Sequence, residues 1–153
     1  MDRLEQLRRL LADSSDPGNP SAEELTALFE RLQRIAVVGI SRDPAKAARR
    51  VPSYLAAMGY DIAPVNPSAG RILGKPAFAK LSDVTEPMDM VVVFRPSVEA
   101  ASVVREAAAR PERPAIWLQE GIRADDAASE ARRAGIVVVQ DLCSYKVHRA
   151  LFT

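Results

Sequence analysis

A chain of 153 residues, 48% apolar and 27% charged, has the size and make-up of one globular domain with one filled core. Lys and Arg number 21 against 20 Asp and Glu, a formal charge of +1, which leaves no global electrostatic case for nucleic acid or a membrane surface. Aromatics are scarce (one Trp, three Tyr, four Phe), which argues against a base-stacking platform, and a single cysteine, Cys143, excludes an internal disulfide framework and fits a reducing cytoplasm. No run approaches the length of a transmembrane helix and the charged N-terminus has no apolar signal core, so the expected location is the cytoplasm.

Residues 1–33 read as a helical extension. Leu4, Leu7, Leu10 and Leu11 recur at helical spacing among charges, and Ser14 to Pro20 is a breaker cluster. Ser21 and Glu24 then match a capping box ahead of Leu25, Leu28, Phe29 and Leu32. The expectation is an extension that packs over one side of the core, with a regulatory or dimerising arm as the other reading.

Ile35-Ala36-Val37-Val38 leads into Gly39, Ile40 and Ser41, the pattern of a buried parallel strand opening into a turn, and the first strand is expected over 35–40. Residues 41–49 are polar and positive. Pro52 is expected in the first turn of a helix that runs to about Met58 and stops at Gly59. A second strand is expected over Asp61–Val65, stopped by Asn66-Pro67. Arg71–Gly74 suggests a short edge strand and Leu81–Val84 a helical turn. A third strand is expected over Met88–Phe94, ended by Arg95-Pro96, with Ser97 capping a helix from Val98 to about Arg110. A fourth follows at Ala115–Leu118, a helix at Asp125–Ala134 closed by Gly135, a fifth strand at Ile136–Val139, and a terminal helix from Tyr145. This alternation predicts an α/β fold: a Rossmann-like parallel sheet of about five strands with helices on both faces, covering 34–153.

In such a sheet ligands bind outside the carboxyl ends of the strands. The residues there are Gly39 and Ser41, Asn66 and Pro67, Arg95 and Pro96, Gln119 and Gly121, and Asp141. Gly39 lets a ligand approach the backbone, and Lys46, Arg49 and Arg50 add cations ahead of the next helix, a set that suits a diphosphate or several phosphates. The same residues also fit a tight turn with a solvated basic loop. A G-x-G-x-x-G fingerprint would need glycine at 41 and 44, where Ser41 and Pro44 stand, and Asn66 replaces the acid that would hold an NAD ribose. Asn66-Pro67 also reads as plain turn chemistry, and Arg95 as a phosphate ligand or a surface cap. Cys143 reads as an inert thiol, with Lys146 alone near enough in sequence to activate it. His148 is the single histidine, so neither a metal set nor a G-x-S-x-G hydrolase elbow is present.

Several stretches together resemble the small stand-alone CoA-binding proteins, a Rossmann-like family related to the CoA-binding domain of succinyl-CoA synthetase α subunits. They are Ile35–Ser41, Val51–Leu55, Gly59-Tyr60, Pro64–Pro67, Ile72–Gly74, Val93–Pro96, Ile116–Ile122 and Asp141–Cys143, in register over about residues 34–152. The resemblance implies coenzyme A along the strand edge named above. Gly39, Ile40 and Ser41 would contact the diphosphate, and Lys46, Arg49 and Arg50 would face phosphate oxygens. Val65-Asn66-Pro67 and Phe94-Arg95-Pro96 would frame the nucleotide, and Gln119 to Ile122, with Gly121 between, would lie near the pantetheine. The chain departs from the family at Leu142, where relatives read arginine, and at Val147, where they read glutamate.

With no assembled catalytic group, the sequence points to non-catalytic binding of coenzyme A or acyl-CoA, as carrier, sensor or partner switch. The alternatives are an NAD(P)-binding oxidoreductase or a subunit of an acyl-CoA ligase. A purely structural interaction module also fits, and a protein partner or homo-oligomer stays open.

Overall fold

The computed structural model describes residues 2–153. Two helices come first, α1 (Arg3–Asp13) and α2 (Ala22–Arg31), the second opened by the Ser21/Glu24 capping box. Strand β1 (Arg34–Val38) leads to α3 (Ala47–Ala57) and β2 (Asp61–Val65). A small hairpin, β3 (Arg71–Ile72) and β4 (Lys75–Pro76), precedes a 3-10 turn at Leu81–Asp83. The chain then runs β5 (Met90–Val93), α4 (Ser97–Ala108), β6 (Ala115–Leu118), α5 (Asp125–Arg133), β7 (Val138–Val139) and α6 (Ser144–Phe152).

The five main strands pair in the order β2-β1-β5-β6-β7, all parallel. Phe78 adds a single parallel bridge to Val65 outside β2, its N–H donating to the Pro64 carbonyl at 2.8 Å. The order reverses between β1 and β5, and that reversal is where a doubly wound sheet opens a crevice for ligand.

Strand alternation sorts the core into two layers. Ile35, Val37, Met90, Val92 and Trp117 face Leu7, Leu28, Phe29, Leu55 and Val147, from α1, α2, α3 and α6. Ala36, Val91, Val93, Ile116 and Leu118 face the small residues of α4 and α5, such as Ala100, Val104, Ala128 and Ala131. Strands buried on both faces must be apolar throughout, which is why they read as continuous runs. The N-terminal helices share the first of these layers; Leu7 and Leu25 are fully buried.

Several boundaries differ from expectation. The helix after β1 starts at Ala47, so Arg49 and Arg50 lie inside its first turn and not ahead of it, and Pro52 falls in the second turn. Pro52 has no N–H for the Ala48 carbonyl four residues back, and the Ser41 N–H takes that carbonyl instead, at 3.0 Å. Ser97 is the first residue of α4, with Pro96 at the cap position. The strand at Arg71 pairs in its own hairpin and not with the main sheet. The third main strand is shorter than expected, Met90–Val93, and just before it the Asp89 carboxylate accepts from the Gln33 and Arg34 N–H groups at 3.0 and 2.8 Å. The fifth is pared to Val138–Val139.

Candidate functional site

Gly39 ends β1 with φ +87°, a left-handed conformation that favours glycine, and a Cβ there would sit 2.6 Å from the Phe94 carbonyl oxygen. The β1 and β5 loops therefore touch backbone to backbone at the reversal of strand order. The Gly39 N–H donates to the Val65 carbonyl at 3.0 Å, which ties in the β2 end as well. Beyond it the loop is folded by its own side chains. Ser41 Oγ accepts from the Asp43 N–H at 3.0 Å, and Asp43 Oδ1 from the Ala45 N–H at 2.9 Å.

Three cations follow. Lys46 stands exposed at the cap position of α3. Arg50 bonds the Ala45 carbonyl. Arg49 donates from Nη1 to the Arg42 carbonyl at 3.3 Å, while its Nε is buried with no hydrogen-bond partner among the described residues. An unsatisfied buried donor in native proteins usually marks a missing partner, and here it belongs to a guanidinium at a helix N-terminus, where anions are favoured.

Two expected ligand groups turn out to hold the protein together. Asn66 donates from Nδ2 to the Ile40 carbonyl at 2.8 Å and accepts from the Ser68 N–H at Oδ1, also 2.8 Å. It thus locks the β2 loop to the β1 loop. Arg95 donates from Nε to Glu99 Oε2 at 2.7 Å, an i,i+4 ion pair spanning the start of α4 that offsets much of its charge.

At the far end Gln119, 4% exposed, accepts at Oε1 from both the Ser144 N–H at 3.0 Å and Ser144 Oγ at 2.6 Å. It caps the start of α6. Gly121, at φ +84°, donates its N–H to Asp141 Oδ1 at 2.6 Å, and Trp117 Nε1 donates to the Leu142 carbonyl at 2.7 Å. Burial pushes the Asp141 carboxyl up, but hydrogen bonds from Ser15 and Gly121 and the charge of Arg123 outweigh it, so its pKa lies below the ordinary aspartate value.

Two clefts open along this edge, one on each side of the Phe94-Arg95 junction. The first, about 640 Å³, is bordered by Gly39, Asn66, Pro67, Lys80 and Arg95 and by the acids Glu99 and Glu106, and is the more polar of the two. The second, about 550 Å³, is bordered by Arg50, Val51, Phe94, Ile122, Cys143 and Tyr145 and is mainly apolar. The sequence-selected residues thus divide: Gly39, Asn66, Pro67 and Arg95 lie on the polar cleft, and Arg50, Phe94, Gln119 and Ile122 on the apolar one. Ser41, Lys46 and Arg49 belong to the loop and helix start beside them, and border neither cleft. Pro96 and Gly121 shape the backbone nearby.

Sequence reasoning missed the wall supplied by α6. Tyr145 and Lys146 border the apolar cleft, and Lys146 Nζ donates to Glu120 Oε1 at 2.8 Å. The available signal was position: the terminal helix begins directly after the last strand-end loop. Lys80, on the polar cleft, sat in a stretch with no motif.

His148 is not part of this edge. It is 4% exposed, its Nδ1 lies 2.7 Å from Tyr54 Oη, and the rings of Phe29, Tyr54, Tyr60 and Phe152 surround it at 4.7–5.5 Å between centroids. Burial holds its pKa below the ordinary histidine value. Among the described residues no group of three or more His, Cys, Asp or Glu is placed to hold a metal ion, and no helix is long and apolar enough to cross a membrane.

A parallel sheet with helices on both faces, and paired clefts where its strand order reverses, defines a Rossmann-like ligand-binding domain. The chain belongs to the family described as CoA binding domain, whose model matches residues 33–149. It is similar to the uncharacterised protein YneT of Bacillus subtilis (strain 168), 35% identical over 130 residues, which are 85% of this chain and 96% of YneT. Among solved structures it resembles a Thermus thermophilus protein described as cell-free ID.343, at TM-score 0.81 and 39% identity, over 87% of this chain and all of that one. A hypothetical protein from Pyrococcus horikoshii OT3 is similar at TM-score 0.83 and 26% identity, over 92% and 99%.

Proposed function

We propose that this chain binds coenzyme A, or a thioester of it, across the reversal of strand order, without itself catalysing a reaction. Family membership points to the ligand. The observation that carries the reading is the pairing of a more polar and a mainly apolar cleft on either side of the Phe94-Arg95 junction. Coenzyme A has the matching two-part chemistry, a phosphorylated nucleotide joined to a long pantetheine arm.

In this reading the nucleotide occupies the polar cleft beside Asn66, Pro67 and Arg95. The diphosphate lies over Gly39, Ile40 and Ser41, where Lys46, Arg49 and Arg50 supply positive charge. Arg49 is the strongest of the three candidates, because its buried Nε lacks a partner that a phosphate oxygen would provide. The arm runs past Phe94 along Gln119, Gly121 and Ile122 toward Cys143. Asn66 and Gln119 act by positioning, since their side chains are bonded to the protein. The apolar cleft carries Arg50, Tyr145, Cys143 and the paired Lys146 and Glu120, and among the described residues no hydrogen bond joins the Cys143 thiol to a base there. That supports a carrier, a sensor or a partner switch.

Titration calorimetry of the purified chain with coenzyme A, dephospho-CoA and NAD tests this. Saturable binding of coenzyme A, weakened about tenfold by Arg49→Ala, is the expected result, the loss matching one charge-assisted contact. Preferential binding of NAD, or no binding of coenzyme A, would overturn it.

A further inference from the structure

Tyr145 and Lys146 border the apolar cleft on one side, and on their other side they border a groove of about 580 Å³ between α1 and α6. A third cleft of about 370 Å³ shares residues with both: Cys143, Glu120 and Lys146 with the apolar cleft, and Leu10, Asp13 and Lys146 with the groove. Lys146, held to Glu120, borders all three. The far wall of the groove is α1, which lies outside the segment matched by the family, residues 33–149. It contributes Gln6, Arg9, Leu10 and Asp13.

Leu10, Ala150 and the Tyr145 ring supply the apolar part of the groove's lining, and Arg9 of α1 and Arg149 of α6 border it from either helix. Neither guanidinium has a carboxylate partner among the described residues. Arg149 donates from Nη1 to Tyr145 Oη at 2.8 Å, its carbon 5.9 Å from the Tyr145 ring centroid. Asp13 is the one acidic side chain bordering the groove, against Arg9, Arg149 and Lys146. Apolar lining beside two unpaired guanidiniums fits a short carbon chain that ends in a carboxylate.

We propose that the α1–α6 groove receives the acyl group of a coenzyme A thioester, and that the preferred acyl group carries a terminal carboxylate. The inference rests on the coenzyme A reading above, with the thiol end of the arm near Cys143. A thioester formed there has its acyl chain next to Lys146, at the entrance to the groove. The N-terminal helices then do more than cover the core: α1 selects among thioesters that the matched segment alone would treat alike.

The test compares three ligands on the full chain: coenzyme A, valeryl-CoA and glutaryl-CoA. The two thioesters share a five-carbon acyl chain and differ in the terminal carboxylate. Glutaryl-CoA is expected to bind about tenfold tighter than valeryl-CoA, the size of one bidentate guanidinium contact. The double variant Arg9→Gln/Arg149→Gln abolishes that preference and leaves the affinity for coenzyme A unchanged. Arg8→Gln, on the same helix but paired with Glu23 at 2.5 Å, leaves the preference intact. Unchanged circular dichroism confirms that the variants are folded. Equal affinity for the two thioesters, or a preference that survives in the double variant, overturns the acyl-group assignment while coenzyme A binding stands. Failure to bind coenzyme A at all overturns the underlying reading and this one with it.

Discussion

The Asn19 side-chain amide makes both backbone hydrogen bonds of Gln140: Oδ1 accepts from the Gln140 N–H at 2.8 Å and Nδ2 donates to the Gln140 carbonyl at 2.9 Å. Asn19 thus stands in for one residue of a neighbouring strand, just past the edge strand β7. Ser14 Oγ donates to the same carbonyl at 3.0 Å. The loop between α1 and α2 therefore closes the end of an otherwise open sheet edge, a place where unpaired N–H and C=O groups invite association. Asn19→Ala leaves the Gln140 N–H unpaired and its carbonyl with Ser14 alone, and is expected to cost about 2 kcal/mol. Asn19→Asp keeps the acceptor and loses the donor, so it is expected to fall between. Urea denaturation at neutral pH orders the three proteins.

Asp16 is the charged residue of this cap. It is 5% exposed, and its Oδ2 accepts from Arg132 Nη2 and from Gln140 Nε2, both at 2.9 Å. Burial pushes its carboxyl up, but hydrogen bonds from Gln140, Gly18 and Arg132 and the Arg132 charge outweigh that, and the pKa lies below the ordinary 3.8. A carboxyl depressed in the folded state adds stability that is complete above 3.8 and disappears as pH falls through the folded value. Asp16→Asn is expected to be less stable than the natural chain at neutral pH and to lose less on acidification below pH 3.8. Thermal midpoints taken across that range check it; parallel curves would refute the assignment.

The strands were legible because each is a short apolar run between turn residues. β2 and β6 fall where their sequences place them, while β1 starts one residue earlier than expected and ends two residues earlier, at Val38. The cap just described was not legible. Ser14 to Pro20 reads as a breaker cluster, and nothing local connects Asn19 to a backbone 121 residues away. The start of α3 was missed for a related reason. Pro52 is ordinarily a first-turn residue, and its place in the second turn is accommodated by Ser41, eleven positions before it, using the Ala48 carbonyl. At the site, residue types were readable but their commitments were not. That Asn66 also ties down Ile40 and Arg95 also pairs with Glu99 is not visible in the sequence, and the α6 wall becomes part of the edge only once the chain has folded back over Trp117.

Gly39 joins fold and site at one atom. A side chain there is strained by φ +87° and meets the Phe94 carbonyl at 2.6 Å, so backbone must move against backbone. Gly39→Ala is expected to cost about 3 kcal/mol. Because the displaced element is the Phe94-Arg95-Pro96 turn between the two clefts, coenzyme A affinity is expected to fall as well. Calorimetric melting and ligand titration of the same sample check both. A stable variant with unchanged affinity would show that the contact between the loops is dispensable.

His148 titrates in a different window from Asp16. Its ring is packed among four aromatic rings and bonded to Tyr54 Oη, and burial alone lowers its pKa from 6.5. The unfolded chain therefore takes up a proton near pH 6.5 while the folded chain still excludes it. Stability from this source is complete above 6.5, declines as pH falls from there toward the lower folded value, and levels off below it. His148→Phe keeps a ring in the cluster and removes the proton site. It is expected to flatten the stability curve over the window that opens below pH 6.5 and to leave the acid limb of Asp16 in place. Since Tyr54 packs on both His148 and Tyr145, at 5.3 and 4.6 Å between centroids, the same variant reports whether the cleft feels this group. Coenzyme A affinity that is unchanged in His148→Phe, and independent of pH across that window in the natural chain, would confine the histidine to a packing role.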